Sequence, residues 1–195
     1  LLYWRREASE LDVRRFFAVT TLVGVRVEVP WVFEQTHAEI LRWLREGLAD
    51  GLRIDHPDGL ADPGGYLAQL SAATGGVYVV VEKILEHGEA LPAWWQTDGT
   101  TGYDAMAEID RVLTDPAGEA PLDALDTALR GTPVDYAELI HDTKRMIADT
   151  IQESELRRLV RCLPRPVRHA LDDETAQDAT AELLACYPLY RSYLP

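Results

Sequence analysis

The sequence predicts an α/β chain built on a parallel sheet and followed by a mainly helical stretch. Three observations carry this reading. Residues 31–82 alternate helix, strand, helix, strand, the order of right-handed βαβ crossovers. Val77-Tyr78-Val79-Val80-Val81 is an unbroken, largely β-branched run, as expected of a strand covered on both faces. Beyond residue 104 the apolar residues recur at helical spacing, punctuated by Gly and Pro.

The elements follow in order. Arg14-Arg15-Phe16-Phe17-Ala18-Val19 reads as a short strand, and Val25 to Val29 is weakly β-like. Pro30 opens a helix with Phe33, Ile40, Leu41 and Leu44 on one face, Thr36 and His37 beside them, and Gly47 at the C′ position. Gly51-Leu52-Arg53-Ile54-Asp55 is a short strand ending in the turn His56-Pro57-Asp58-Gly59. Asp62 and Pro63 are the N-cap and first residue of a second helix, stopped by Gly75-Gly76. The run Val77–Val81 ends in Glu82. Residues 86–104 read as loop and 105–130 as short acidic helices. A helix capped by Asp135 runs on to about Leu163, where Pro164 and Pro166 break it. Another covers roughly Asp173 to Ala185, and Tyr187 to Tyr193 reads as one more strand.

Composition narrows the function. The 195 residues suffice for one domain, or a domain with a helical appendage, and fall short of the roughly 250 that a closed (β/α)8 barrel needs. A net charge of −14 disfavours nucleic acid and anionic lipid as partners. No uncharged apolar stretch approaches the length of a membrane span. The opening residues lack both an initiator Met and the pattern of a secretion signal, so the chain reads as starting inside something longer. Cys162 and Cys186 are the whole cysteine complement, which makes a reducing cytoplasm the default location. The five histidines show no metal-ligand spacing, and no phosphate loop or serine elbow is present.

The candidate chemistry is a pair of carboxylates. Asp55 and Glu82 each end a predicted strand, and a single helix separates the two strands, which makes them neighbours in a parallel sheet. Strands about 4.8 Å apart bring such carboxyls to about 5–5.5 Å, the separation of a retaining glycosidase. Alternation places Arg53 on the face of Asp55, where a guanidinium would keep the acid ionised as a nucleophile. Glu82, after an apolar run, would be raised toward a general acid by partial burial. The plainer alternative is a turn cap and a solvated strand end.

Motifs favour the chemical reading. Asp50-Gly51-Leu52-Arg53-Ile54-Asp55-His56-Pro57-Asp58-Gly59-Leu60, Val80-Val81-Glu82-Lys83-Ile84-Leu85 and Gly99-Thr100-Thr101-Gly102-Tyr103-Asp104 resemble the maltooligosyltrehalose synthase family of the α-amylase superfamily. Arg14–Phe17, Leu189–Tyr193 and the stretch holding Lys144, Glu155 and Arg158 are also similar. The resemblance implies part of a (β/α)8 TIM barrel, with three or four parallel strands and a mainly helical insertion. Residues 1–104 would be the barrel segment, 105–186 the helical insertion, and 187–195 a returning strand. It implies Asp55 as nucleophile, Glu82 as acid/base and Arg53 as the residue orienting the nucleophile. His56, Lys83 and Tyr103 fall where sugar contacts are plausible. His56 has the alternative of a turn histidine, and Lys83 that of a solvated lysine. Trp94-Trp95 would stack on sugars or pack locally.

The implied reaction converts the reducing-end α-1,4 link of a maltooligosaccharide to α-1,1 and needs no cofactor. Alternatives are an α-glucan hydrolase of the same superfamily and a non-catalytic helical module. Ala18 and the pair Asp12-Val13 depart from the family pattern at the edge of the site. The family's third carboxylate would lie beyond Pro195 and its upstream Asp/His motif before Leu1. The chain alone is therefore expected to be inactive or nearly so, and to self-associate through exposed strand edges.

Overall fold

A computed structural model describes residues 16–19, 21–22 and 24–193. The chain divides into two compact units: Val25–Pro116 with Tyr193, and Ala117–Ser192 with the described part of the segment before Val25. Arg14 and Arg15 of the expected first strand lie outside the described residues. The rest of that expectation is corrected: Phe16 and Val19 make a single antiparallel bridge across a tight turn, with Phe17 at a φ of 49°. Val25–Val29 is turn rather than strand.

The first unit starts with α1 (Pro30–Arg45), where Pro30 occupies a position that needs no N–H donor. Gly47 ends the helix at a φ of 68°, and Leu48 donates back to the Trp43 carbonyl at 2.9 Å. Strand β1 (Gly51–Ile54) leads through a 3-10 turn at Pro57–Gly59 into α2 (Pro63–Thr74). Asp62 caps α2 by accepting the Gly65 N–H at 2.8 Å, and Gly75 closes it at a φ of 74°. Strands β2 (Tyr78–Val81) and β3 (Gly99–Thr100) complete a parallel sheet ordered β1-β2-β3. Helix α3 (Tyr103–Leu113) follows.

Register partners Leu52 with Val79 and Ile54 with Val81 form one row of the sheet. That row packs on Phe33 of α1, Leu67 and Leu70 of α2, and Trp95. Each such buried side chain contributes roughly 1.5–3 kcal/mol. The opposite row is open, with Tyr78 58% exposed, so β2 is covered on one face and the expectation of cover on both is corrected. His37 is buried in this unit and stacks on Phe33 at 4.0 Å.

The second unit is helical: α4 (Glu119–Arg130), α5 (Tyr136–Asp149), α6 (Glu153–Cys162), α7 (Arg165–Ala170) and α8 (Asp173–Ala185). Ala148, Leu156 and Ala181 form its core, and the two small residues let α5 and α8 approach closely. The single helix expected from Asp135 to Leu163 is two. The chain leaves helical geometry at Thr150, whose hydroxyl donates to the Met146 carbonyl at 2.5 Å. The strand expected over Tyr187–Tyr193 is also corrected. This segment is irregular, because no neighbouring strand supplies a ladder for it among the described residues. Among the described residues no helix is long and apolar enough to cross a membrane.

Candidate active site

The parallel register positions the carboxylates. Ile54 faces Val81 at the C-terminal end of the β1–β2 ladder, and the Glu82 N–H donates to the Ile54 carbonyl at 2.7 Å, one step further on. Asp55 and Glu82 therefore follow adjacent strands at the same end of the sheet. By alternation they continue the row of Arg53 and Val80, opposite the core row. Arg53 Nη1 meets Asp55 Oδ1 at 2.6 Å. Glu82 Oε2 accepts the His56 backbone N–H at 3.1 Å, so the residue after one carboxylate is tied to the other.

His56 holds the turn between them. It adopts the left-handed conformation, φ 47° and ψ 53°, which costs a residue with a Cβ about 1–2 kcal/mol. Pro57 is fully buried behind it. Gly59 lies against the His56 ring: a Cβ there would come within 2.9 Å of Nε2.

Lys83 is not presented to open surface. It is 2% exposed, its ammonium lies 3.4 Å from Asp58 and 3.3 Å from Glu89, and it donates to the Ile84 carbonyl at 3.1 Å. A buried ammonium persists only where carboxylates and acceptors replace its water. The alternative of a solvated lysine is replaced by this internal pairing. Tyr193 donates its hydroxyl to Asp58, extending the network.

Tyr103 starts α3 after Gly102, which is left-handed at a φ of 95°. It belongs to the end of the third strand: Thr100 pairs with Val81 and donates to Asp104 Oδ1 at 2.6 Å. That hydrogen bond holds the Asp104 carboxyl below its usual range. The two tryptophans separate. Trp95 is core, edge-on to Tyr193 at 5.0 Å, whereas Trp94 is 57% exposed. A groove of about 640 Å³ lies between the 85–91 loop and α3, lined by Asp104, Glu108 and Arg111. Asp55, Glu82, Arg53, His56 and Tyr103 are not among its lining residues. Sequence reasoning missed the Asp58–Lys83–Glu89 network; the local sign was a lysine directly after Glu82 and an acid three positions after Asp55.

No known family model matches the chain. A protein from Mycobacterium tuberculosis named "Putative maltooligosyl trehalose synthase" is 46% identical over the whole of this chain and 25% of its own length. The solved maltooligosyltrehalose synthase from Arthrobacter ramosus is 51% identical, with a TM-score of 0.87, over 97% of this chain and 24% of that one. A structure described as a hypothetical maltooligosyl trehalose synthase from Sulfolobus tokodaii is 33% identical, with a TM-score of 0.67, over 94% of this chain and 23% of that one. The chain spans about a quarter of the length of these relatives. Sequence and three-dimensional likeness agree: along its whole length this chain is homologous to one quarter of the maltooligosyltrehalose synthases.

Proposed function

We propose that this chain supplies the nucleophile and the acid/base of a glucosylmutase that converts the reducing-end α-1,4 link of maltooligosaccharides to α-1,1. The observation that carries the reading is the placement of Asp55 and Glu82 at adjacent parallel strand ends, joined by the Glu82–His56 hydrogen bond. Asp55, oriented by Arg53, attacks C1 of the penultimate sugar while Glu82 protonates the departing oxygen of the terminal glucose. A covalent glycosyl ester results. Glu82 then takes the proton from the anomeric hydroxyl of that same glucose, whose oxygen attacks C1 and displaces Asp55. Two inversions retain the configuration, and no cofactor enters. His56 and Tyr103 are the proposed sugar contacts, and Lys83 is proposed to hold the loops that carry the acids.

In this reading residues 1–104 belong to a (β/α)8 barrel, 105–186 to a helical insertion and 187–195 to a return toward the barrel. The open row opposite the core, with Arg53 and Val80, is the side such a barrel would enclose. The 195 residues alone are proposed to be inactive or nearly so, and the parent protein to be cytoplasmic.

The test is a chimaera in which this chain replaces the matching stretch of the solved relative that is half identical to it. Maltopentaose should give a non-reducing product, and Asp55→Asn or Glu82→Gln should each lower turnover by at least about a thousandfold, comparable to loss of major transition-state stabilisation. Release of reducing glucose without the non-reducing product favours the hydrolase. Full turnover in both variants sinks the assignment.

A further inference from the structure

Three metal-ligating side chains converge in the helical unit, away from the carboxylate pair. His141 of α5 places Nε2 at 2.8 Å from Glu182 Oε1, and Cys186, one turn beyond Glu182 at the end of α8, places Sγ at 3.5 Å from the same oxygen. The three ligand atoms all lie within 4.8 Å of one another. We propose that His141, Glu182 and Cys186 form a three-ligand site for a thiophilic divalent cation, zinc or cobalt, with one coordination position left open.

The geometry fits. Around tetrahedral zinc, arms of about 2.0–2.3 Å set the ligand atoms roughly 3.3–3.6 Å apart. The Glu182–Cys186 separation already matches, and the His141–Glu182 pair needs to open by about half an ångström. Both partners are side chains at the surface, where a rotation of that size is cheap. Soft sulfur, imidazole nitrogen and one carboxylate together favour zinc or cobalt over magnesium or calcium. A second layer is present. Asp142 Oδ1 accepts the His141 Nδ1 N–H at 3.2 Å and Glu182 Oε1 accepts the Nε2 N–H, so a bound ion takes the place of the Nε2 proton while Asp142 keeps hold of Nδ1–H, as in carboxylate–histidine–zinc arrangements. Arg145 holds the other oxygen of Glu182 at 3.2 Å, which leaves Oε1 for the ion. Lys144 also faces this end, with its ammonium donated to the Tyr187 carbonyl at 3.0 Å. His141 lies 41 positions from Glu182, so no local motif announces the group.

The test uses the untagged 195-residue chain and cobalt(II), then zinc(II). Cobalt should bind at one equivalent with a sulfur-to-cobalt charge-transfer band, which requires no variant. Cys186→Ser should abolish the band, and His141→Ala should weaken zinc binding at least tenfold, about 1.4 kcal/mol. Cys162→Ser should change neither. No charge-transfer band with the unaltered chain, or zinc affinity indifferent to both Cys186→Ser and His141→Ala, overturns the site.

Discussion

Lys83 and Asp58 form an ion pair at 3.4 Å, with side chains 2% and 9% exposed. Each follows a candidate carboxylate in the chain, Lys83 directly after Glu82 and Asp58 three positions after Asp55. The pair therefore ties the two loops on which the acids stand, and Glu89 and the Tyr193 hydroxyl join the polar network around it.

Lys83→Met should consequently cost about 3–5 kcal/mol, because it removes the buried ammonium that faces Asp58 and Glu89. The combination with Asp58→Asn should recover part of the loss by removing one of the facing carboxylate charges. Chemical denaturation of the three proteins checks it. A Lys83→Met protein as stable as the parent would show that the pairing is dispensable.

How far this was legible in the sequence depends on how local the cause is. Asp62 and Pro63 start α2, and Gly47 and Gly75 end helices, because capping and left-handed turns are settled by a few neighbouring residues. The side shared by Arg53 and Asp55 follows from strand alternation alone. The burial of Lys83 was not legible, because its partners Asp58 and Glu89 approach it only once the sheet has formed. The division of α5 from α6 was hidden by Ile147 and Ile151, which keep helical spacing across it. The break lets Leu156 reach Ala148 and Ala181, a tertiary gain that periodicity does not register. Tyr187–Tyr193 has strand composition, but a strand exists only with a partner.

Acid should loosen the first unit through His37. The Phe33 carbonyl can only accept, so at 3.0 Å it takes the proton of His37 Nδ1, and Nε2 then accepts from the Tyr66 hydroxyl at 2.8 Å. Burial lowers the His37 pKa from its usual 6.5, against a smaller opposing effect of the Phe33 hydrogen bond. The unfolded chain then binds a proton that the folded chain refuses. The stabilisation is complete above pH 6.5 and is lost as pH falls from there toward the lowered folded value. His37→Gln should flatten the fall in stability that begins as pH drops below 6.5. An identical slope in the variant contradicts this.

Gly59 and His56 should be coupled. Gly59→Ala drives a Cβ into the His56 ring, and such crowding typically costs about 1–3 kcal/mol. His56→Gly removes the ring and also relieves the left-handed backbone. In that background Gly59→Ala should cost much less. Additive losses in the four-protein cycle would place the strain elsewhere.

Self-association should come from α3 more than from the strand edges. Strand β3 has two residues and β1 four, so either edge offers few backbone hydrogen bonds to a second copy. On α3, Met106, Ile109 and Leu113 share one face, are 51%, 58% and 78% exposed, and the helix buries none of its residues. Covering such side chains contributes up to about 1.5–3 kcal/mol each, which outweighs a short edge. The net charge of −14 opposes contact between copies, and salt screens that repulsion. Sedimentation should therefore show little association at low salt and more at high salt. Ile109→Glu with Leu113→Lys should abolish the increase while leaving the net charge unchanged. Association that weakens with salt, or that survives the double substitution, would return the cause to charge pairing or to the sheet.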